Sequence, residues 1–197
     1  MKKRINSIAL SLAVISLSAP VIAETPTQAN MLAYACAACH GFNGNSQGPS
    51  TPNLAGISKY YFMDAMEAFK EDERPATVMN RIAKGYSKEE IALMADFFSK
   101  QPLKPVAQTF DPALASQGQA LHEANCAQCH ENGGRASDDD AGILVGQMSP
   151  YLHFTISDIL AGKREVPTKM LKKLEKVRDE SGQSGIEQLI HFYASQK

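Results

Sequence analysis

The 197-residue chain lacks an excess of either charge: 20 basic residues stand against 21 acidic ones. That leaves no basic footprint of the kind nucleic-acid binding requires. No later segment is apolar enough to cross a membrane. The longest apolar run, residues 8–17 near the start, falls short of the roughly 20 residues a spanning helix needs and is interrupted by serine. No stretch alternates apolar and polar residues as a half-buried strand would. Cysteine is scarce, at four residues, and the spacing of those four is the most informative feature of the chain.

What is present at the start is an export signal. Lys2, Lys3 and Arg4 precede the apolar run, and Val21-Ile22-Ala23 offers compact residues before a cut. Cleavage after about Ala23 is expected, with the mature protein in the periplasm and no membrane span. Losing residues 1–23 leaves 17 basic against 21 acidic residues, a net charge of −4.

In an exported chain four cysteines would ordinarily mean two disulfides. Here they form two pairs, each followed at once by histidine: Cys36, Cys39 and His40 in "CAACH", and Cys126, Cys129 and His130 in "CAQCH". C-x-x-C-H is the attachment signature of c-type haem. Two thiols on one helical turn reach the two vinyl groups of the porphyrin, and the next residue lies under the ring where its imidazole can bind iron. A thioredoxin-like dithiol would need a strand before the pair. Zinc pairs stand about 15–20 residues apart rather than 90. Two covalently bound c-type haems are expected.

Other landmarks repeat near the same 90-residue offset. "LAGISKYYF" (54–62) lies over "LVGQMSPYL" (144–152), with Gly56 over Gly146 and Tyr61 over Tyr151. "PATVM" lies near "PTKM", and "FFSKQ" (97–101) over "FYASQ" (192–196). The simplest reading is a duplicated all-α unit holding one haem per copy, since a haem supplies apolar core that a short chain lacks. The proline-bearing stretch 100–112 reads as the join. Residues 24–103 form the first expected domain, 104–109 the linker and 110–197 the second.

Helix signals support this layout. A helix from Thr27 runs into Cys36. Asp111 caps one opening at Pro112 and running into Cys126. Phe62, Met66 and Phe69 mark a middle helix. "SKEE" (87–90) is a capping box before a stripe of Ile91, Met94, Ala95 and Phe98. "SGIE" (184–187) predicts a second box, before Ile186, Leu189, Ile190 and Tyr193. Residues 131–142, glycine-rich and acidic, read as a solvated loop and not a metal site.

The other face of each iron can take methionine, histidine, a weak ligand or nothing. Among the methionines only one pair repeats. Met79 lies 39 residues after His40, and Met170 lies 40 after His130. Each follows a Pro and a Thr between helices, where a loop can carry sulfur over a ring. Met31 is too near Cys36, Met63, Met66 and Met94 belong to helix faces, and Met148 faces Ser58 in the repeat. Met79 and Met170 are therefore the expected ligands opposite His40 and His130. His122 is too close to Cys126 to cross the ring, and His153 and His191 read as surface or core residues. The proximal histidine needs an acceptor for its second ring proton. Pro49, in the loop "GPSTPNLAG", is the expected one for His40, and His130 has no evident one.

"RPATVMNRIAKGYS", "GQMSPYL", "PTKMLKKL" and the ending "HFYASQK" resemble the dihaem cytochrome subunit of flavocytochrome c sulfide dehydrogenase, over essentially the whole mature chain. The resemblance implies two tandem class I cytochrome c domains with methionine ligands at positions matching Met79 and Met170. It implies a heterodimer with an FAD-binding sulfide dehydrogenase subunit and a soluble cytochrome c as acceptor. No catalytic residue is expected on this chain. The c-four-type dihaem cytochromes, which feed terminal oxidases without a flavin subunit, share the duplicated layout. A haem enzyme or gas sensor with an open iron site is a third reading.

Overall fold

The computed structural model describes residues 27–136 and 141–196. The expected export signal lies outside the described residues, as do positions 137–140 of the 131–142 loop. The fold is all-α, with no strand among the described residues.

The first half carries α1 (Gln28–Ala35), α2 (Ala37–His40), α3 (Lys59–Lys70), α4 (Met79–Ala83) and α5 (Lys88–Ser99). The second carries α6 (Pro112–Asn125), α7 (Glu131–Gly134), α8 (Ser149–Leu160) and α9 (Thr168–Ser195). In each half the helix entering the Cys-x-x-Cys-His motif packs on the closing helix: α1 on α5, and α6 on α9. The middle helices α3 and α8 lean on the same closing helices.

The helix starts reflect local chemistry. The Asp111 carboxylate accepts from the Ala113 and Leu114 amides at 2.7 and 3.1 Å, with Pro112 in the first turn. Ser87 and Glu90 form the full capping box: the Ser87 hydroxyl accepts from the Glu90 amide, and the Glu90 carboxylate from the Ser87 amide. The second box does not form. Helix α9 runs across this region and breaks only at Gly182, whose φ of 61° belongs to the left-handed region. The Ser184 hydroxyl instead donates to the Ser181 carbonyl at 2.6 Å. The stripe behind it is buried as expected, with Ile186, Leu189, Ile190 and Tyr193 all in the core.

Two apolar clusters result. One gathers Phe62, Met66, Ile91, Met94 and Phe98. The other gathers Leu152, Ile159, Val177, Leu189 and Phe192. Burying a side chain of this size contributes about 1.5–3 kcal/mol each. The α6–α9 crossing is close because Gly118 has no side chain there: a Cβ would stand 1.9 Å from the Gln188 carbonyl oxygen.

The loop after each haem motif folds in the same way. The Gly44 carbonyl accepts from the Leu54 and Ala55 amides, and the Gly134 carbonyl from those of Leu144 and Val145. Within the solvated loop expected over 131–142, Glu131–Gly134 forms a tight helical turn with Asn132 and Gly133 in the left-handed region, while Glu131, Asn132 and Arg135 are exposed.

The joining segment is tied to both halves. Asn45 donates to the Pro102 carbonyl and accepts from the Lys104 amide. Gln108 donates to the Gln147 carbonyl and accepts from Ser149. Beside it the halves meet through a buried amide pair. The Asn53 backbone N–H donates to the Gln147 side-chain oxygen at 2.9 Å, and the Gln147 side-chain amide donates back to the Asn53 carbonyl at 3.1 Å. The Asn53 side chain also donates to the Gly146 carbonyl and accepts from the Ser46 amide. Every polar group so buried finds a partner, which offsets the cost of taking it from water.

Candidate haem sites

Cys36 closes α1, and its backbone carbonyl accepts from the His40 amide at 2.9 Å. The turn Ala37–His40 therefore places Cys36, Cys39 and His40 on one short helical stretch. In the second half the Cys126 carbonyl accepts from the His130 amide, also at 2.9 Å. Burial and then the neighbouring Cys39 push the Cys36 thiol up to about 11, and burial raises Cys126 as well. A redox dithiol needs the opposite shift, because the thiolate is the reactive form. The pairs therefore lack the electrostatics of a redox dithiol.

His40 is buried, and its Nδ1 lies 2.9 Å from the Pro52 carbonyl oxygen. A carbonyl only accepts, so Nδ1 carries the proton and the lone pair is on Nε2. Burial also pushes the His40 pKa below its usual value, against the pull of that hydrogen bond. The ring is thus a neutral imidazole in the tautomer a metal needs. Pro49 is the acceptor expected from the sequence; the loop turns so that Pro52, three residues on, presents its carbonyl instead. His130 repeats the arrangement, with Nδ1 3.1 Å from the Gly142 carbonyl oxygen. Both acceptors stand 12 residues beyond their histidines. A backbone oxygen can be supplied by any residue, so the second half needs no proline there. The repeat offset is the signal that points to both.

Met79 opens α4 and packs on the first core; Met170 lies in the first turn of α9 and packs on the second. Both sulfurs therefore come from helix starts rather than from open loops. Of the other methionines, Met66, Met94 and Met148 are buried as packing residues, whereas Met31 and Met63 are exposed. His153 pairs with Glu187 at 3.4 Å, and the His191 Nδ1 accepts from the Asp111 amide.

The acceptor loops are seated in the contact between the halves. Pro52 precedes the buried Asn53. Gly142 lies against the Tyr61 ring, so close that a Cβ would come within 3.0 Å of it. Around them runs a reciprocal arginine–tyrosine pairing that the sequence did not disclose. Arg74 donates to the Tyr151 hydroxyl at 3.1 Å, and Arg164 to the Tyr61 hydroxyl at 2.8 Å. The two arginines are repeat counterparts of each other, as are the two tyrosines, and each bond crosses from one half to the other. Arg74 also lies over the Phe69 ring at 4.6 Å. Burial would raise the Tyr61 phenol, but the two guanidiniums outweigh it and hold it down at about 8.

Among the described residues, no carboxylate pairs with Arg74 or Arg164. Two half-buried cations without anions fit a group that brings its own carboxylates, as a haem does through its propionates. The thiol pairs and the tautomer-locked imidazoles fit the same group.

Comparison with known proteins agrees. Residues 27–101 match the family described as Cytochrome c. The chain is 31% identical to cytochrome c4 of Stutzerimonas stutzeri over 151 residues, covering 66% of this chain and 69% of that one. It is 43% identical to the cytochrome subunit of sulfide dehydrogenase of Chlorobaculum tepidum over 74 residues, 38% of this chain and 66% of that one. In architecture it is similar to the crystal structure of reduced recombinant cytochrome c4 from Pseudomonas stutzeri, with a TM-score of 0.74 and 25% identity, over 86% of this chain and 97% of that one.

Proposed function

We propose, on the premise that this chain belongs to the cytochrome c family and has dihaem cytochrome c4 among its relatives, that it is the electron-transfer subunit of a sulfide-oxidising complex. Each half, residues 24–103 and 110–197, holds one haem. Cys36 and Cys39 attach the first, and His40 and Met79 ligate its iron. Cys126 and Cys129 attach the second, and His130 and Met170 ligate its iron. The observation that carries this is the repeated histidine geometry: two Cys-x-x-Cys-His turns, each with Nδ1 tied to a carbonyl 12 residues on.

Bound haem iron supplies one-electron chemistry by cycling between ferrous and ferric states. The protein's part is to hold the two sites fixed with respect to each other. The thioether-forming cysteines prevent loss of the group, and the carbonyls of Pro52 and Gly142 fix the imidazole planes. The Asn53–Gln147 pair and the exchanged arginine–tyrosine pairs lock one half against the other. This chain needs no nucleophile or base of its own, because the bond chemistry belongs to its donor.

The donor in this reading is an FAD-binding subunit that oxidises sulfide, and the acceptor a soluble cytochrome c in the periplasm. Two one-electron sites suit a two-electron donor, which can then discharge in single steps. The 43% identity to a sulfide dehydrogenase cytochrome subunit supports this partner. The likeness to cytochrome c4 over a larger share of the chain favours a second reading, a free dihaem cytochrome feeding a terminal oxidase. Purification of the native protein from periplasm separates them. Recovery of a flavoprotein in equal amount is expected; a flavin-free monomer that reduces an oxidase would establish the second reading.

A further inference from the structure

The methionine-bearing helices of the two halves turn different faces to solvent. In α9, Lys169, Lys172, Lys173 and Lys176 recur at i, i+3, i+4 and i+7, which puts them on one side of the helix. Lys169, Lys172 and Lys176 are exposed and Lys173 is half-buried. Leu174 and Val177, on another side, are buried in the second core, and Met170 packs against it. With Met79 laid over Met170, the matching positions of the first half are Val78, Arg81, Ile82 and Gly85. Val78 and Ile82 are exposed there. One face is cationic. The other, in the same register to the proposed sulfur ligand, is largely apolar.

Neither helix chemistry nor ion pairing accounts for the lysines. Helix α9 has no acidic residue in its first turn. Lys169 stands within that turn, where the helix macrodipole disfavours a cation. Among the described residues no carboxylate pairs with Lys169, Lys172 or Lys173, and Lys176 reaches only Glu180, at 3.9 Å. The surrounding segment 163–178 holds seven basic residues against two acidic ones, whereas its counterpart 72–87 holds three against two. The chain as a whole has no basic excess, so the positive charge is gathered at this face.

We propose that the lysine face of α9 is the docking surface for the soluble electron acceptor, which meets it with an acidic patch, and that electrons leave the protein through the second haem. A carrier that must bind, discharge and depart gains association rate from complementary charge. A lasting subunit contact draws instead on apolar area, which the lysine face does not offer. Met170 shares its helical turns with the lysines, so a partner seated on them approaches the second haem from its methionine side. In the exit step one electron passes from the ferrous second haem to the ferric iron of the acceptor. The first becomes ferric and the second ferrous, and no bond is made or broken. The inference rests on the reading of this chain as a dihaem electron carrier with His130 and Met170 on the second iron.

The test follows electron transfer by stopped flow, over a range of salt, from the reduced mature dihaem protein to a ferric soluble cytochrome c. The probe's own lysines are succinylated, which gives it an acidic surface. The second-order rate constant is expected to fall as salt rises. Lys169→Gln/Lys172→Gln/Lys176→Gln should lower it about tenfold at low ionic strength and flatten its salt dependence. Lys59→Gln/Lys84→Gln/Lys88→Gln removes the same charge from exposed positions of the first half, and should stay within about twofold of wild type. With the unmodified, lysine-rich form of the probe the second-half variant should react faster than wild type. Haem spectra and melting temperatures check that each variant is folded. If the first-half variant slows the reaction as much or more, or the second-half variant does not slow it, the lysine face is not the docking surface and the electron-carrier reading stands. If the reduced wild type passes no electron to either form of the probe at any salt, both fall.

Discussion

The first half backs the helix before its Cys-x-x-Cys-His motif with Leu32 and Phe98; the second puts His122 and Tyr193 at the same two positions. The first half starts its closing helix with a capping box at Ser87, whereas the second runs α9 onward to a break at Gly182. The first places an exposed aromatic stack, Tyr34 on Phe42 at 5.7 Å, beside its motif, where the second has Ala124 and Asn132. Yet the Cys-x-x-Cys-His turns, the Gly44 and Gly134 carbonyl hooks, and the histidine–carbonyl bonds agree closely. On the proposed reading, the repeat has kept what would attach and orient a haem, and has let the packing behind it diverge. Two sites with the same proposed ligands but different surroundings would be a route to two different potentials.

That comparison can be broken most severely at the cysteines. Cys36→Ala/Cys39→Ala and Cys126→Ala/Cys129→Ala should each yield protein with one covalent haem in place of two, read from intact mass and haem absorbance. A variant that keeps both would show that its motif is not an attachment site.

Next in size is the helix crossing that only the second half makes so tightly. Gly118→Ala must move the Gln188 backbone, and overpacking of this kind costs about 1–3 kcal/mol. Gln28→Ala, at the matching but exposed position, should stay within about 0.5 kcal/mol in the same denaturant titration. Equal effects would mean that the crossings are alike.

The contact between halves comes third. Gln147→Ala strips the Asn53 backbone of both side-chain partners. Leaving buried groups unpaired costs about 1–3 kcal/mol. Thermal unfolding should spread into two steps as the halves uncouple, and a single unbroken transition would show that the arginine–tyrosine pairs suffice.

Smallest is the cap. Ser87→Ala should cost about 1 kcal/mol by losing the box. Ser184→Ala should cost only a few tenths, because its hydroxyl makes only a local bond to Ser181. A calorimetric difference in the opposite order would restore the second box.

The chemistry carried by local spacing is legible in the sequence. The all-α class, the Asp111–Pro112 start, the Ser87 box and the buried stripes on the closing helices are all short-range patterns, and the structure shows them. The Pro52 and Gly142 carbonyls are hidden because a backbone oxygen has no side-chain signature. The exchange of Arg74 and Arg164 between halves is hidden because it exists only once the halves dock. The Ser184 box misleads because Gly182 lets the chain turn without a side-chain cap. His122 is excluded as a ligand by its nearness to Cys126, and that exclusion says nothing of its contact with the Tyr193 hydroxyl at 3.0 Å.

One sulfur on each iron, from Met79 and from Met170, is the central claim, and the near-infrared sulfur-to-iron band of the oxidised protein reads it directly. Met79→Ala should remove about half of the band and Met170→Ala the other half, in keeping with one methionine ligand per haem. A band unchanged in either variant would contradict the assignment, and with it the claim that the two halves are repeats of one ligated site.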